Sequence, residues 1–69
     1  MKLILLEDNH KDGDIFCQQL ESLTGYTLED FIARYDLIHS NEYVSNFSIG
    51  KWLLEIPSSN PVWHLWQED

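Results

Sequence analysis

Aspartates are concentrated in one short polar stretch whose spacing can be compared with that of a calcium-binding loop. The stretch runs from Asp8 to Asp14 and reads Asp-Asn-His-Lys-Asp-Gly-Asp. A calcium loop places oxygen ligands at positions 1, 3, 5 and 12 and a glycine at position 6. Counted from Asp8, Gly13 is in place, but His10 and Gln19 stand where the third and the last, bidentate, ligands belong. We interpret the stretch as a loop whose aspartates cap the following helix.

The other chemically reactive side chains show no spacing typical of a catalytic or metal site. Cys17 is the single cysteine, and a nucleophilic thiol needs a base held close to it. The three histidines, His10, His39 and His64, are far apart in the sequence and no pattern brings one of them to Cys17. We therefore predict a structural thiol and a protein that is not an enzyme, with no catalytic residue, metal or cofactor.

The charge balance is the strongest functional indication in the sequence. Twelve acids face four bases, which gives a net charge of −8 in 69 residues. A surface this acidic repels nucleic acid and anionic membranes, and it speeds the encounter with a basic protein. We expect a basic protein or nucleoprotein enzyme as partner, with no direct contact to nucleic acid or membrane. The simpler interpretation is that the charge keeps a small, aromatic-rich protein soluble.

Two sets of side chains are candidates for binding that partner. The first set is acidic and combines the loop with the exposed side of the second predicted helix; it contains Asp8, Asp12, Asp14, Glu29, Asp30 and Asp36. These acids act together only if the fold places the loop and the helix on one side. The second set, an alternative, is aromatic and consists of Trp63 and Trp66.

The first half of the chain predicts one strand followed by two helices. Met1 to Glu7 is a short apolar run bounded by polar residues, which indicates a strand inside the sheet. A helix is predicted from Gly13 or Asp14 to Leu23, ending at Gly25. A second helix is predicted to begin at Thr27 with a capping box and to carry an apolar face as far as Ile38; that face comprises Leu28, Phe31, Ile32, Tyr35 and Ile38.

The C-terminal third alternates apolar and polar residues with the period of a strand. It predicts three strands, at Tyr43 to Ile49, Trp52 to Ile56 and Val62 to Gln67. Gly50-Lys51 suits a two-residue hairpin turn. A helix from Ser48 to Ile56 is the main alternative. The last strand is apolar on both sides, so its inward face stays open, and it is a candidate sheet edge.

These elements predict a small α+β fold in a single domain spanning residues 1–69. The order is β-α-α-β-β-β, with two amphipathic helices packed on one face of a four-stranded, antiparallel-rich sheet. The position of the first strand in that sheet stays open. The single cysteine and the lack of a long apolar segment lead us to expect a cytoplasmic protein.

In size and charge the chain resembles small phage anti-defence proteins, including anti-CRISPR proteins and DNA mimics, and also antitoxin and immunity proteins. No motif matches these groups residue by residue. The resemblance implies an inhibitor whose carboxylates compete for the arginines and lysines that otherwise bind DNA phosphates. Two alternatives are kept: a protein–protein interaction module that uses an aromatic sheet face, and a homodimer formed through a sheet edge.

Overall fold

A computed structural model describes residues 1–7, 13–59 and 62–68; the side chains of residues 13 and 14 are outside this description. The elements follow the predicted order. They are β1 (Lys2–Glu7), α1 (Gly13–Thr24), α2 (Leu28–Ile32), β2 (Val44–Ile49), β3 (Trp52–Pro57) and β4 (Val62–Gln67). The α+β fold class and the β-α-α-β-β-β order are thus confirmed, and the alternative helix across Ser48–Ile56 is wrong.

The four strands form one antiparallel sheet in the order β1-β4-β3-β2. The prediction that the first strand lies inside the sheet is wrong, because β1 is an edge strand whose pairing, among residues 1–7, 13–59 and 62–68, is with β4 alone. The prediction that the last strand is a candidate edge is also wrong, because β4 pairs with β1 on one side and β3 on the other. Apolar runs therefore mark both an edge strand and a central one in this sheet.

One face of the sheet and both helices enclose the hydrophobic core. The strands contribute alternate residues to this inner face, and each helix adds phenylalanine or leucine. The buried set is Leu6, Phe16, Leu20, Phe31, Phe47, Ile49, Trp52, Leu54 and Leu65. Leu54 and Leu65 are opposite each other on the two central strands and are fully buried. Both predicted helices thus pack on the same face, as expected from their apolar stripes.

The two turns that glycine was predicted to make are present. Gly25 follows α1 with φ of 80°, and its N–H donates to the carbonyl of Glu21 at 2.8 Å. Gly50 has φ of 54° in the two-residue turn that places Ile49 opposite Trp52. Glycine is favoured at both positions because a side chain is strained at positive φ.

The second helix is shorter than predicted. Its predicted capping box is present: the Thr27 hydroxyl accepts from the Asp30 N–H at 3.2 Å, and the Asp30 carboxylate accepts from the Thr27 N–H at 3.0 Å. The helix ends at Ile32, so the prediction that it continues to Ile38 is wrong. Beyond it, Tyr35 forms a bridge with Phe47 of β2, and this pairing replaces further helical turns.

None of the helices that the structure describes is long and apolar enough to cross a lipid bilayer.

Candidate partner-binding surfaces

Glu29 and Asp30 occupy the first turn of α2, where their charge is favourable at the positive end of the helix. The Glu29 side chain is exposed and lies beside a groove of about 260 Å³ between α1 and α2, which Cys17 and Glu21 also line. Asp30 is half-buried and uses its carboxylate in the capping box. Glu29 is therefore more available to a partner than Asp30, and Glu21 is a neighbouring acid that the sequence reasoning did not select.

Asp36 does not lie on a helix, contrary to the prediction that placed it on α2. It begins the turn after α2, where its Oδ1 accepts from the N–H groups of Ile38 and His39 at 3.1 and 3.2 Å. The His39 Nδ1–H donates to the other carboxylate oxygen at 2.7 Å. The imidazole and backbone hydrogen bonds from His39 hold the pKa of Asp36 below its ordinary value.

The three loop acids cannot be placed relative to the helix acids. Asp8 and Asp12 lie outside the described residues, and the side chain of Asp14 does as well, although its backbone belongs to α1. The idea that loop and helix act on one side stays a prediction. The described acids Glu29 and Asp36 line different pockets, one between the helices and one beside the sheet.

The two candidate tryptophans lie on opposite faces of β4. Trp63 is on the helix side, where its ring stacks on Phe16 with the centroids 4.4 Å apart and the planes 5° from parallel. Trp66 is on the uncovered side, half-buried, and its indole N–H donates to the Glu55 carboxylate. The register settles which face of the last strand points inward, and it leaves Trp66 as the tryptophan better placed for a partner.

The face of the sheet opposite the helices, here called the open face, carries a mixture of apolar and charged side chains. Leu3 and Leu5 of the edge strand are 42% and 53% exposed. In the central strands, Glu55 lies opposite His64, with 3.9 Å between the carboxylate and Nδ1. The strand residues of the open face, all with the outward parity, are Leu3, Leu5, Glu7, Val44, Asn46, Ser48, Leu53, Glu55, Pro57, Val62, His64 and Trp66.

One residue of the open face is buried although alternation predicted it to face solvent. Asn46 is only 7% exposed because the segment after α2 folds over it. Its Nδ2 donates to the His39 carbonyl, its N–H donates to the Ser40 hydroxyl at 2.8 Å, and its carbonyl accepts from the Asp36 N–H at 2.8 Å. Its Oδ1 has no hydrogen-bond partner. A polar residue in a strand is the only signal the sequence gives for this site.

Within the described ranges, no group of three histidine, cysteine, aspartate or glutamate side chains is placed to hold a metal ion. The pairs Asp36–His39 and Glu55–His64 each bring one carboxylate to one imidazole. Such pairs suit hydrogen bonding within the protein and contact with a cationic group.

Comparison with known proteins gives no family for this chain: no protein-family model, curated protein or solved structure matches it.

Proposed function

We propose that the protein is a non-enzymatic inhibitor that binds and neutralises a basic, nucleic-acid-handling protein. The observation that carries this proposal is the net charge of −8, from twelve acids and four bases in 69 residues. A charge of this size on so small a surface creates a negative potential that attracts a basic partner from a distance. Such attraction contributes mainly to the association rate and to the choice of partner.

The described acids support contact from more than one side. Glu21 and Glu29 lie beside the groove between the helices, whereas Asp36 and Glu55 line a pocket at the open face. On the partner, the complementary groups are arginines and lysines that otherwise contact phosphates. Carboxylates placed against those groups compete with nucleic acid for the same site. A DNA-mimic mechanism, in a phage anti-defence, anti-CRISPR-like or antitoxin-like setting, is the specific form of this proposal.

A cytoplasmic location is part of the proposal. Cys17 is the single cysteine, so the fold needs no internal disulfide, which is typical of proteins from reducing compartments. Nucleic-acid-handling enzymes of the kind proposed as partners work in the same compartment.

Affinity capture from a host lysate tests the proposal, with the bound proteins identified by mass spectrometry. We expect a basic nuclease, polymerase or surveillance complex that is retained at low salt and released at high salt, because charge contacts at a surface are screened. The matched variant is Glu29→Gln combined with Asp30→Asn, which removes two charges while the amide oxygen introduced at the second position can still accept in the capping box. Reduced capture by this variant supports the helix acids as contacts; unchanged capture removes them from the interface.

The open face supports a second candidate function, a protein–protein interaction module. Leu3 and Leu5 expose apolar surface beside Trp66, and exposed aromatic and aliphatic groups on a sheet are common recognition surfaces. Salt distinguishes the two functions, since an apolar contact barely responds to ionic strength. Homodimerisation is the remaining alternative, and it now involves the β1 edge; sedimentation at increasing concentration showing a constant mass of 8.2 kDa would exclude it.

A further inference from the structure

The two edges of the sheet differ in how their backbone groups are used. At the β2 edge, the segment after α2 already bonds to the strand. The Asp36 N–H donates to the Asn46 carbonyl at 2.8 Å, and the Asn46 N–H donates to the Ser40 hydroxyl at 2.8 Å. The Asn41 N–H donates to the Val44 carbonyl at 2.9 Å. Another chain that paired along β2 would have to displace these hydrogen bonds.

The β1 edge has no such cover within the described ranges. The sheet order places β1 at the opposite edge, where it pairs with β4. A strand in an antiparallel sheet directs its N–H and C=O groups alternately to its two sides, so half of the backbone groups of β1 face away from β4. Such an edge is a template on which an extended chain can add as a further strand.

β1 also lacks the features that usually prevent pairing at an edge strand. These features include a proline, a bulge and a charge in the middle of the strand. The register of β1 with β4 runs without a break from Lys2 opposite Gln67 to Glu7 opposite Val62, so β1 contains no bulge. Its two charged residues lie at its ends, and the residues between them are all apolar. The outer side of β1 therefore offers a regular, uninterrupted ladder.

Apolar side chains along β1 offer contact area to an added strand. Leu3 and Leu5 lie on the open face and are 42% and 53% exposed. Ile4, between them, is half-buried and packs against the core from the helix side. Side chains of neighbouring strands at facing positions contact each other. The edge thus favours a segment that has apolar residues at alternate positions.

We propose that the β1 edge binds an extended, basic segment of the partner, which adds to the sheet as a further strand beside β1. The net charge selects this occupant over a second copy of the chain, because two copies would bring −8 against −8. The same charge attracts a basic segment, and the exposed Glu7 offers it a carboxylate at the end of the strand. The inference rests on the proposed function for the origin of this segment.

A synthetic peptide that alternates valine and lysine is the probe for this edge, titrated into the isotope-labelled protein and followed by NMR. We expect saturable shifts of the β1 amides. Every second amide of β1 should also gain protection from hydrogen exchange, because the amides between them already face β4. The same peptide methylated on every backbone nitrogen keeps its charge but cannot donate to the ladder, and it should give no saturable shift. A peptide with glutamate in place of lysine should not bind.

Two lysine variants with the same net charge test the position. Leu5→Lys places a charge in the middle of the edge and should weaken binding of the valine–lysine peptide about tenfold. Leu37→Lys makes the same change at a residue 76% exposed in the segment after α2, and it should leave the affinity nearly unchanged. Circular dichroism checks that each variant is folded. The methylated peptide tests the ladder on the wild type, whatever the stability of the variants.

Absence of shifts in β1, equal binding of the methylated or the glutamate peptide, or equal loss in the two variants would overturn the edge site. So would a wild type that sediments as a dimer and becomes a monomer in Leu5→Lys, since a second copy would then occupy the edge. If the peptide fails to pair while a basic partner is still captured and released by salt, the edge site is wrong and the proposed function stands. If the peptide pairs with β1 but the captured partner is not basic, the edge site stands and the proposed function is wrong.

Discussion

At the scale of single residues, Asp36 and Asn46 show how one short turn organises the side of the sheet. The Asp36 carboxylate accepts hydrogen bonds from two backbone N–H groups and from the His39 imidazole. These three bonds fix the path of the chain over Asn46. The sequence names Asp36 as an acid and Asn46 as a solvent-facing strand residue. The sequence around either residue does not predict the hydrogen bond from the Asp36 N–H to the Asn46 carbonyl. That bond depends on how the segment after α2 runs back along β2.

Replacing Asp36 by Asn should lower the melting temperature at neutral pH. The pKa of Asp36 is lowered from 3.8 in the folded protein, so folding favours its ionised form. This contribution is fully present above the ordinary aspartate pKa and is lost as pH falls through the lowered, folded-state pKa. The gap in melting temperature between the wild type and Asp36→Asn should therefore be clear at pH 7 and shrink in strong acid, as measured by circular dichroism.

Glu42→Gln is the matched control for this prediction, because it removes one exposed carboxylate from the same connecting segment. It should leave the melting temperature nearly unchanged at both pH values. A wild-type advantage over Asp36→Asn that grew in acid would contradict the assigned role of the Asp36 carboxylate.

At the scale of elements, the sequence predicted where helices and turns begin and end. It did not predict which strands lie side by side in the sheet. The capping box at Thr27, the glycine after α1 and the two-residue hairpin turn follow from local chemistry, and the structure confirms all three. The placement of β1 beside β4 comes from pairing between the two ends of the chain, which no local pattern encodes. The predicted apolar face of α2 was too long for a similar reason: Tyr35 pairs with Phe47 of β2, and this distant contact is not visible in the helical periodicity.

The residues that the longer helix would have buried are exposed instead. Ile32 and Ile38 are 52% and 87% exposed, and the turn between them also exposes Leu37 at 76%. Helical periodicity alone predicts a buried face here. The hydrogen bonds of the Asp36 side chain to following N–H groups compete with helix formation, as aspartate often does.

Thr27→Ala should destabilise the protein by about 1 kcal/mol, because it removes the hydroxyl that caps the N–H of Asp30. Urea unfolding followed by tryptophan fluorescence measures the change. Ser22→Ala, at an exposed position inside α1, is the control and should change the unfolding free energy by less than about 0.5 kcal/mol. Equal effects of the two substitutions would contradict the capping role of Thr27.

At the scale of the whole molecule, both helices and all four strands contribute to one core, which contains nine buried side chains among the described residues. The composition, with 43% hydrophobic residues, predicted such a core. Alternation in β2 and β3 identified four of its members, Phe47, Ile49, Trp52 and Leu54, and helical periodicity identified those of α1 and α2. Which side of β4 faces inward could not be predicted, because Trp63 and Trp66 are equally apolar. In the structure the register turns Trp63 toward the helices, where its ring stacks on Phe16.

Leu54→Ala should cost about 3 kcal/mol of unfolding free energy, since Leu54 is fully buried at the centre of the sheet and its truncation leaves a cavity. Leu37→Ala makes the same chemical change at a position 76% exposed and should cost less than about 0.5 kcal/mol. Chemical unfolding of both variants gives the comparison. Similar costs at the two positions would contradict the placement of the core.

The proposed function depends on the net charge of the whole molecule. The most direct measurement is the dissociation constant of the complex with the captured basic partner, taken by calorimetry at a series of salt concentrations. Neutralisation of a basic surface by this acidic domain predicts that binding weakens at least about tenfold between low and moderate ionic strength, since exposed charge pairs are screened. A dissociation constant that stays constant across the series would contradict it, and would assign recognition to the apolar part of the open face.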